Sequence, residues 1–162
     1  MPQSNDDVSE LTKNLNLLLA TFKLRESYYA LDAAYVYEVI RVGEITPVPH
    51  CSKEILGVIN LRGRIVTLID ISLSLGYGAA QVGSQSRVFI VEDRSEYVGM
   101  LADQVSEVTE VSQEQMQAPP ANIPLEQLKY CRGVFRIGNR VVSFLDTNAL
   151  LHAGLQSAAA QG

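Results

Sequence analysis

Short apolar–polar alternations, each cut off by Gly, Pro, Asp or Asn, run through most of this chain. Residues 17–24, 28–31, 36–42, 55–61, 65–71, 87–92, 97–101, 105–111, 133–137 and 141–145 are rich in Val, Ile, Leu and aromatics. Such short, β-branched runs bounded by turn formers predict strands, and the chain reads as all-β. Helical spacing is confined to short turns at residues 32–35, 72–75, 125–129 and 147–151. Residues 76–86, dominated by Gly, Ala, Gln and Ser, read as a flexible connection.

The pattern also repeats. GVINLRGRIVTLIDISLSL (residues 57–75) aligns without gaps on GVFRIGNRVVSFLDTNALL (residues 133–151), with six of 19 positions identical. Chance would give about one or two. Upstream, YYALDAAYVYEV (residues 28–39) aligns on YVGMLADQVSEV (residues 97–108), with five of 12 identical, including Val36/Val105, Glu38/Glu107 and Val39/Val108. The offsets are 76 and 69, so the second copy carries seven extra residues, expected within residues 118–128. Each half is one unit of about five strands. A sheet that small hides its edges by closing, which predicts two small barrels sharing an apolar interface, with a groove at the junction. A sequential division follows: a polar tail at residues 1–16, one lobe at 17–83, a second at 84–151, and a small-residue tail at 152–162.

Composition narrows the function more than the fold. With 162 residues, 47% hydrophobic and 19% charged, the chain can bury a core. Its net charge of −5 and scattered Lys and Arg give no basic stripe, which excludes nucleic acid as the expected partner. No apolar run reaches the length of a signal-peptide core or a membrane span. Cys51 and Cys131 lack a CxxC spacing, so neither a disulfide framework nor a zinc site is expected, and a reducing cytoplasm is the simplest setting.

Catalytic chemistry needs convergent acids, bases or nucleophiles. His50 and His152 have no partner suggested by spacing, and His50 beside Cys51 supplies half a tetrahedral site at best. Asp70 and Asp146 occupy equivalent repeat positions. They read either as a symmetric carboxylate pair for acid–base work or, on the pattern that follows them, as caps of short helical turns. No phosphate-cradling glycine loop, metal set or cofactor motif is present.

Asn60-Leu61-Arg62-Gly63 falls between two apolar runs and predicts a tight hairpin, with Gly63 supplying the positive φ. The second copy has Arg136-Ile137-Gly138-Asn139 there, so the turn itself does not require Arg62. Glu38 is an opposite-charge candidate for it.

At this hairpin the sequence resembles the CheW-like chemotaxis coupling proteins, whose pattern runs roughly G-V-x-N-L-R-G-x-x-V-P-V-I-D-L-R-x-x-L-G. Residues 57–76, 28–49, 98–108 and 132–151 carry the resemblance, which spans about residues 17–151. Thr67 and Ser72 depart from the family's usual Pro and Arg, and the latter bears on partner choice. The resemblance implies two SH3-like five-stranded barrels and a non-catalytic adaptor without cofactors. It further implies binding to a chemoreceptor's cytoplasmic tip and to the regulatory domain of a CheA-type histidine kinase. Carried over, Val36, Glu38, Gly57, Val58, Asn60, Arg62 and Val105 would form the receptor-facing groove. Val42, Glu44, Ile45 and Val48, in the loop at residues 42–48, would face the kinase. On this reading Arg62→Ala weakens coupling without unfolding the protein, and Gly57→Asp damages binding by intruding on the groove. Three alternatives remain: an adaptor of a related pathway such as pilus-based motility, or a piece of a larger CheV- or CheA-like protein; a small β-barrel enzyme using Asp70 and Asp146; and a ligand-binding barrel, which would hold a closed internal cavity.

Overall fold

A computed structural model describes residues 16–161; the segment at residues 1–15, read above as part of a polar tail, lies outside the described residues. Strands β1 (Asn16–Leu24), β2 (Ser27–Asp32), β3 (Val36–Arg41), β4 (Ile55–Leu61) and β5 (Arg64–Ile69) are followed by a one-turn helix α1 (Ile71–Ser74). Then come β6 (Arg87–Asp93), β7 (Glu96–Ala102), β8 (Gln104–Ser112), helix α2 (Leu125–Leu128), β9 (Cys131–Ile137), β10 (Arg140–Leu145) and helix α3 (Thr147–Gln161). All ten expected strands are present, within two residues at each end. A 3-10 turn at Gln113–Gln115, held by a Ser112–Gln115 capping box, was not expected.

The strands form two five-stranded sheets, ordered β8-β1-β2-β10-β9 (lobe I) and β3-β6-β7-β5-β4 (lobe II). Replacing each strand by its repeat counterpart, five places along, converts one order into the other. The registers match too: Ser143↔Tyr29 and Thr67↔Val98 are equivalent parallel pairs, and both hairpins bulge after Gly133↔Phe144 and Gly57↔Leu68. Thr46 bridges to Val58, and Gln117 to Val134, so the chain beyond β3 and β8 returns to the far strand of its own sheet and closes it. That closure leaves no long open edge.

The duplication is interleaved, which corrects the sequential division at residues 83/84. The first half gives β1 and β2 to lobe I but β3, β4 and β5 to lobe II, and the second half does the reverse. The exchange welds the lobes, because each covers strands from both halves. The core has three parts. Ile59, Leu61, Val66, Leu68, Val88, Ile90 and Leu101 fill lobe II. Their counterparts Phe135, Val142, Phe144 and Leu19, with Ala30 and Val111, fill lobe I. The largest cluster lies between the lobes and includes Phe22, Tyr29, Leu31, Ile69, Phe89, Met100 and Leu145. Two barrels this small bury too little apart, and the shared cluster supplies the remaining apolar burial.

Two peripheral expectations change. The small-residue stretch at residues 152–162 was expected as a tail, yet α3 runs through it to Gln161. Leu and Ala at most of its positions favour helix, Asp146 caps its start, and Gly154 lets it lie against Ile69 of β5. The stretch at 76–86 was expected to be flexible, yet its first half is pinned. Tyr77 N–H donates to Ser72 O at 2.9 Å, Ala80 N–H to Asp70 Oδ2 at 2.8 Å, and the Arg25 guanidinium to Ala79 O at 3.2 Å. The Tyr77 hydroxyl also meets that of Tyr29, whose burial, with this partner, holds its phenol well above the usual tyrosine range. Ser72 is buried beneath this segment, so it contributes nothing to an exposed partner surface.

Candidate functional site

The β4–β5 hairpin turns through Arg62 and Gly63, at φ 49° and 86°. Two successive left-handed residues are the type I′ geometry that matches the twist of flanking strands. Asn60 Oδ1 accepts from Gly63 N–H at 2.7 Å and fixes the turn. Gly63 adopts its φ freely, but an L-residue such as Arg62 does so at a cost of about 1 kcal/mol. The aligned residue of the β9–β10 hairpin is Gly138, at φ 61°. Lobe II thus carries an arginine where lobe I carries the residue that the backbone prefers.

The arginine has a partner. Its guanidinium takes the Glu38 carboxylate with both terminal nitrogens, Nη2 to Oε1 and Nη1 to Oε2, the latter at 3.3 Å. It is the one ion pair among the described residues. Glu38 lies on β3 and Arg62 on the β4–β5 turn, so the pair joins the two terminal strands of the lobe II sheet across the barrel end. The hydrogen bonds from Arg62 hold the Glu38 carboxyl below its ordinary range, and Glu38 raises the guanidinium in turn. The Arg62 side chain is exposed and that of Glu38 half-buried, so the pair remains open to water and contributes little to stability.

An aromatic group adjoins it. Tyr37 stacks on Tyr97 of β7 with ring centroids 4.7 Å apart, and the Arg64 guanidinium lies 4.6 Å from the Tyr97 ring centre. The Tyr97 phenol is raised above its usual value, first through its hydrogen bond with Tyr37. Composition and spacing gave no reason to single out Tyr37, Arg64 or Tyr97. The usable signal lay in the repeat, where Tyr35 and Tyr37 align on Gln104 and Ser106.

The other expected residues fall into separate groups. Val36 and Val105 are counterparts, and each lies half-buried against the interlobe cluster. Gly57 is buried; a Cβ there would sit 2.4 Å from Thr46 O and 2.9 Å from Ile45 Cγ2. Gly133 is confined in the same way by Met116 and Gln117. Gly57 therefore lets the Thr46–Val58 bridge form, and it lines no open groove, which corrects the reason expected for harm from Gly57→Asp. Val58 belongs to the same bridge. Of the residues read as kinase-facing, Val42 and Ile45 pack half-buried on the lobe II interior, while Glu44 and Val48 are exposed. Glu38, Asn60 and Arg62 come together at the hairpin; Gly57, Val58 and Ile45 meet one bridge further along β4.

Asp70 and Asp146 act as caps. Asp70 Oδ1 accepts from Leu73 N–H at 3.2 Å, and Asp146 Oδ1 from Ala149 N–H at 3.1 Å. Their carboxylates are committed to different helix starts, so they form no acid–base pair. Among the described residues, no three His, Cys, Asp or Glu side chains are placed to hold a metal ion. The Cys51 thiol donates to Val48 O at 3.0 Å, and burial pushes the Cys131 thiol up. Among the described residues, no helix is long and apolar enough to cross a membrane.

A closed, duplicated pair of SH3-like barrels with an ion-paired hairpin tip and capping aspartates defines a binding scaffold. The chain belongs to the CheW-like domain family, whose profile matches residues 19–154. It is 28% identical over 141 residues to the chemotaxis protein CheW of Rhizobium meliloti, covering 87% of this chain and 91% of that protein. It is 30% identical to the CheW of Treponema pallidum, covering 82% and 80%. It is 26% identical to protein FrzA of Myxococcus xanthus, covering 86% and 88%. The crystal structure of the scaffolding protein TtCheW from Thermoanaerobacter tengcongensis superposes with a TM-score of 0.74 at 28% identity, covering 83% of this chain and 86% of that one. The protein is accordingly a chemotaxis coupling scaffold of the CheW type, and not an enzyme.

Proposed function

We propose that this protein is a cytoplasmic adaptor that couples methyl-accepting chemoreceptors to a CheA-type histidine kinase, with the Glu38–Arg62 end of lobe II facing the receptor. The observation that carries this reading is Arg62 itself. It holds a left-handed position that its repeat counterpart gives to glycine, and it spends its side chain on an exposed ion pair that barely stabilises the fold. A residue that costs the fold and returns little to it points to binding. Val36, half-buried beside this end, and Asn60, which fixes the turn, support the same surface. The segment with exposed Glu44 and Val48 is the face proposed for the kinase. The adaptor performs no chemistry; it holds both partners so that a receptor shift biases the kinase between two states.

Affinity capture from the source cell with the parent protein and Arg62→Ala in parallel tests the assignment. Recovery of a methyl-accepting receptor and a CheA-type kinase, with the receptor depleted by the substitution, is expected. Equal receptor recovery by both proteins would remove Arg62 from the receptor surface. The likeness to FrzA favours one second reading, service in a related chemosensory pathway, which the identity of the recovered receptor decides.

A further inference from the structure

The two halves of this chain are copies of one unit in matching registers, so each differing exposed position is an internal experiment. Tyr35, at the end of the turn that leads into β3, and Tyr37 and Val39 on β3 are exposed by 42%, 55% and 42%. Their counterparts on β8 are Gln104, Ser106 and Val108. Lobe II thus carries an aromatic stripe where lobe I is mostly polar. The stripe lies on a terminal strand of its sheet and includes the neighbour of Glu38. The tyrosine on β7 also differs in its setting. Tyr97 stacks with Tyr37 as well as with Arg64, whereas its counterpart Tyr28 is covered by two cations, Lys23 at 5.4 Å and Arg140 at 4.5 Å.

The stacked pair stands between two shallow clefts. A cleft of about 440 Å³ is lined by Tyr35, Tyr37, Glu92 and Arg94, and one of about 240 Å³ by Arg64, Ile65 and Tyr97; Ser95 borders both. An aromatic ridge flanked by two polar hollows suits a helix laid across it, an apolar side chain meeting the ridge and polar side chains of neighbouring turns reaching into the hollows. Tyr97 supports the Tyr37 ring from below, so little side-chain entropy remains to be lost on binding.

We propose that Tyr37, held by Tyr97, is the aromatic anchor of the receptor-facing surface. It selects receptor helices that present an apolar side chain beside the group engaged by Arg62. This rests on the receptor reading above and extends it to a residue outside the set that the family resemblance supplied. The anchor works as a hot spot: a large, pre-positioned ring that a partner desolvates, next to a charged pair that fixes register.

The test measures affinity of the full-length protein for a methyl-accepting receptor held in nanodiscs, with its CheA-type kinase present. Parent, Tyr37→Ser, Tyr37→Phe and Arg62→Ala are compared, with melting temperature as the control for folding. Serine is the residue that the other copy of the unit carries here, so the fold accommodates it. The expected result is at least a tenfold weaker Kd for Tyr37→Ser and for Arg62→Ala, a change under threefold for Tyr37→Phe, and unchanged melting. Parent-like binding by Tyr37→Ser beside weakened Arg62→Ala overturns the anchor and leaves the receptor surface standing. Parent-like binding by both substitutions overturns the receptor surface and the anchor with it. Equal losses in Tyr37→Ser and Tyr37→Phe show that the hydroxyl, and not the ring, makes the contact, which also overturns the anchor.

Discussion

Arg62 and Gly138 occupy the same place in two copies of one hairpin, both left-handed, yet only the arginine reaches a carboxylate, that of Glu38. The fold needs a left-handed residue at that position and has no use for a guanidinium. Replacing Arg62 with Gly separates the two demands. Arg62→Gly should leave stability unchanged or raise it by up to about 1 kcal/mol, because the strain goes and the lost ion pair was weak. The same variant should lose receptor coupling. Urea unfolding read beside a coupling assay checks both halves of the statement.

The ion pair also sets a pH response. Arg62 depresses the Glu38 carboxyl, so the pair is intact above the ordinary glutamate range and is lost as pH falls through the lowered value. Receptor affinity should therefore hold from neutral pH down through the ordinary glutamate range and fall only as pH drops through the lowered value, wherever the fold persists. Glu38→Gln should abolish that acid limb and bind weakly throughout. A flat profile in the parent would mean that the ionised pair is not what the receptor reads.

Gly57 makes a different prediction from the one its place in the family motif suggests. Gly57→Ala adds only a methyl group, yet at φ 149° that methyl meets the Thr46 carbonyl at 2.4 Å. A loss of about 2 kcal/mol or more is expected, with early proteolysis in the 42–50 segment as the Thr46–Val58 bridge opens. Gly133→Ala should show a smaller loss, because flexible Met116 can yield part of the space. Weakened binding by a Gly57 variant of parental stability would restore the residue to the binding surface.

The two capping aspartates are unequal. Asp146 accepts from Ala149 N–H alone among its side-chain hydrogen bonds, whereas buried Asp70 serves both Leu73 N–H and Ala80 N–H. Asp146→Ala should cost about 1 kcal/mol, the usual worth of a cap. Asp70→Ala should cost about 2–3 kcal/mol, because it strands a second, part-buried donor and frees the segment after α1. Chemical denaturation of both variants measures the difference.

The strand runs were legible because each is short, β-branched and punctuated, and the hairpin and both caps followed from local chemistry. The exchange of the β1–β2 and β6–β7 pairs between lobes was not. A repeat shows which segments are equivalent, but the partner of each strand is a long-range choice made by the interlobe packing of Phe22, Tyr29, Phe89 and Met100. The reach of α3 was missed because an alanine-rich stretch with a weak apolar face looks like a tail until Gly154 is seen against Ile69. At the site, Glu38 was legible only as an opposite-charge candidate for Arg62; that the two meet is a product of the fold, which closes β3 against the β4–β5 hairpin. The Tyr37–Tyr97 stack was not, since 60 residues of sequence separate rings that β3, β6 and β7 bring together. Gly57 was misread because its motif suggests an open groove, and only the return of Thr46 to β4 shows the backbone lying over it.

The most direct measurement is kinase activity in a reconstituted array of receptor, CheA-type kinase and this protein, with parent and Arg62→Ala compared at equal folded concentration. The account predicts that the parent raises receptor-controlled kinase activity well above the level without adaptor, and that Arg62→Ala returns at least tenfold less of that increment while melting like the parent. Full coupling by Arg62→Ala would contradict the claim that the Glu38–Arg62 end of lobe II is where the receptor is held.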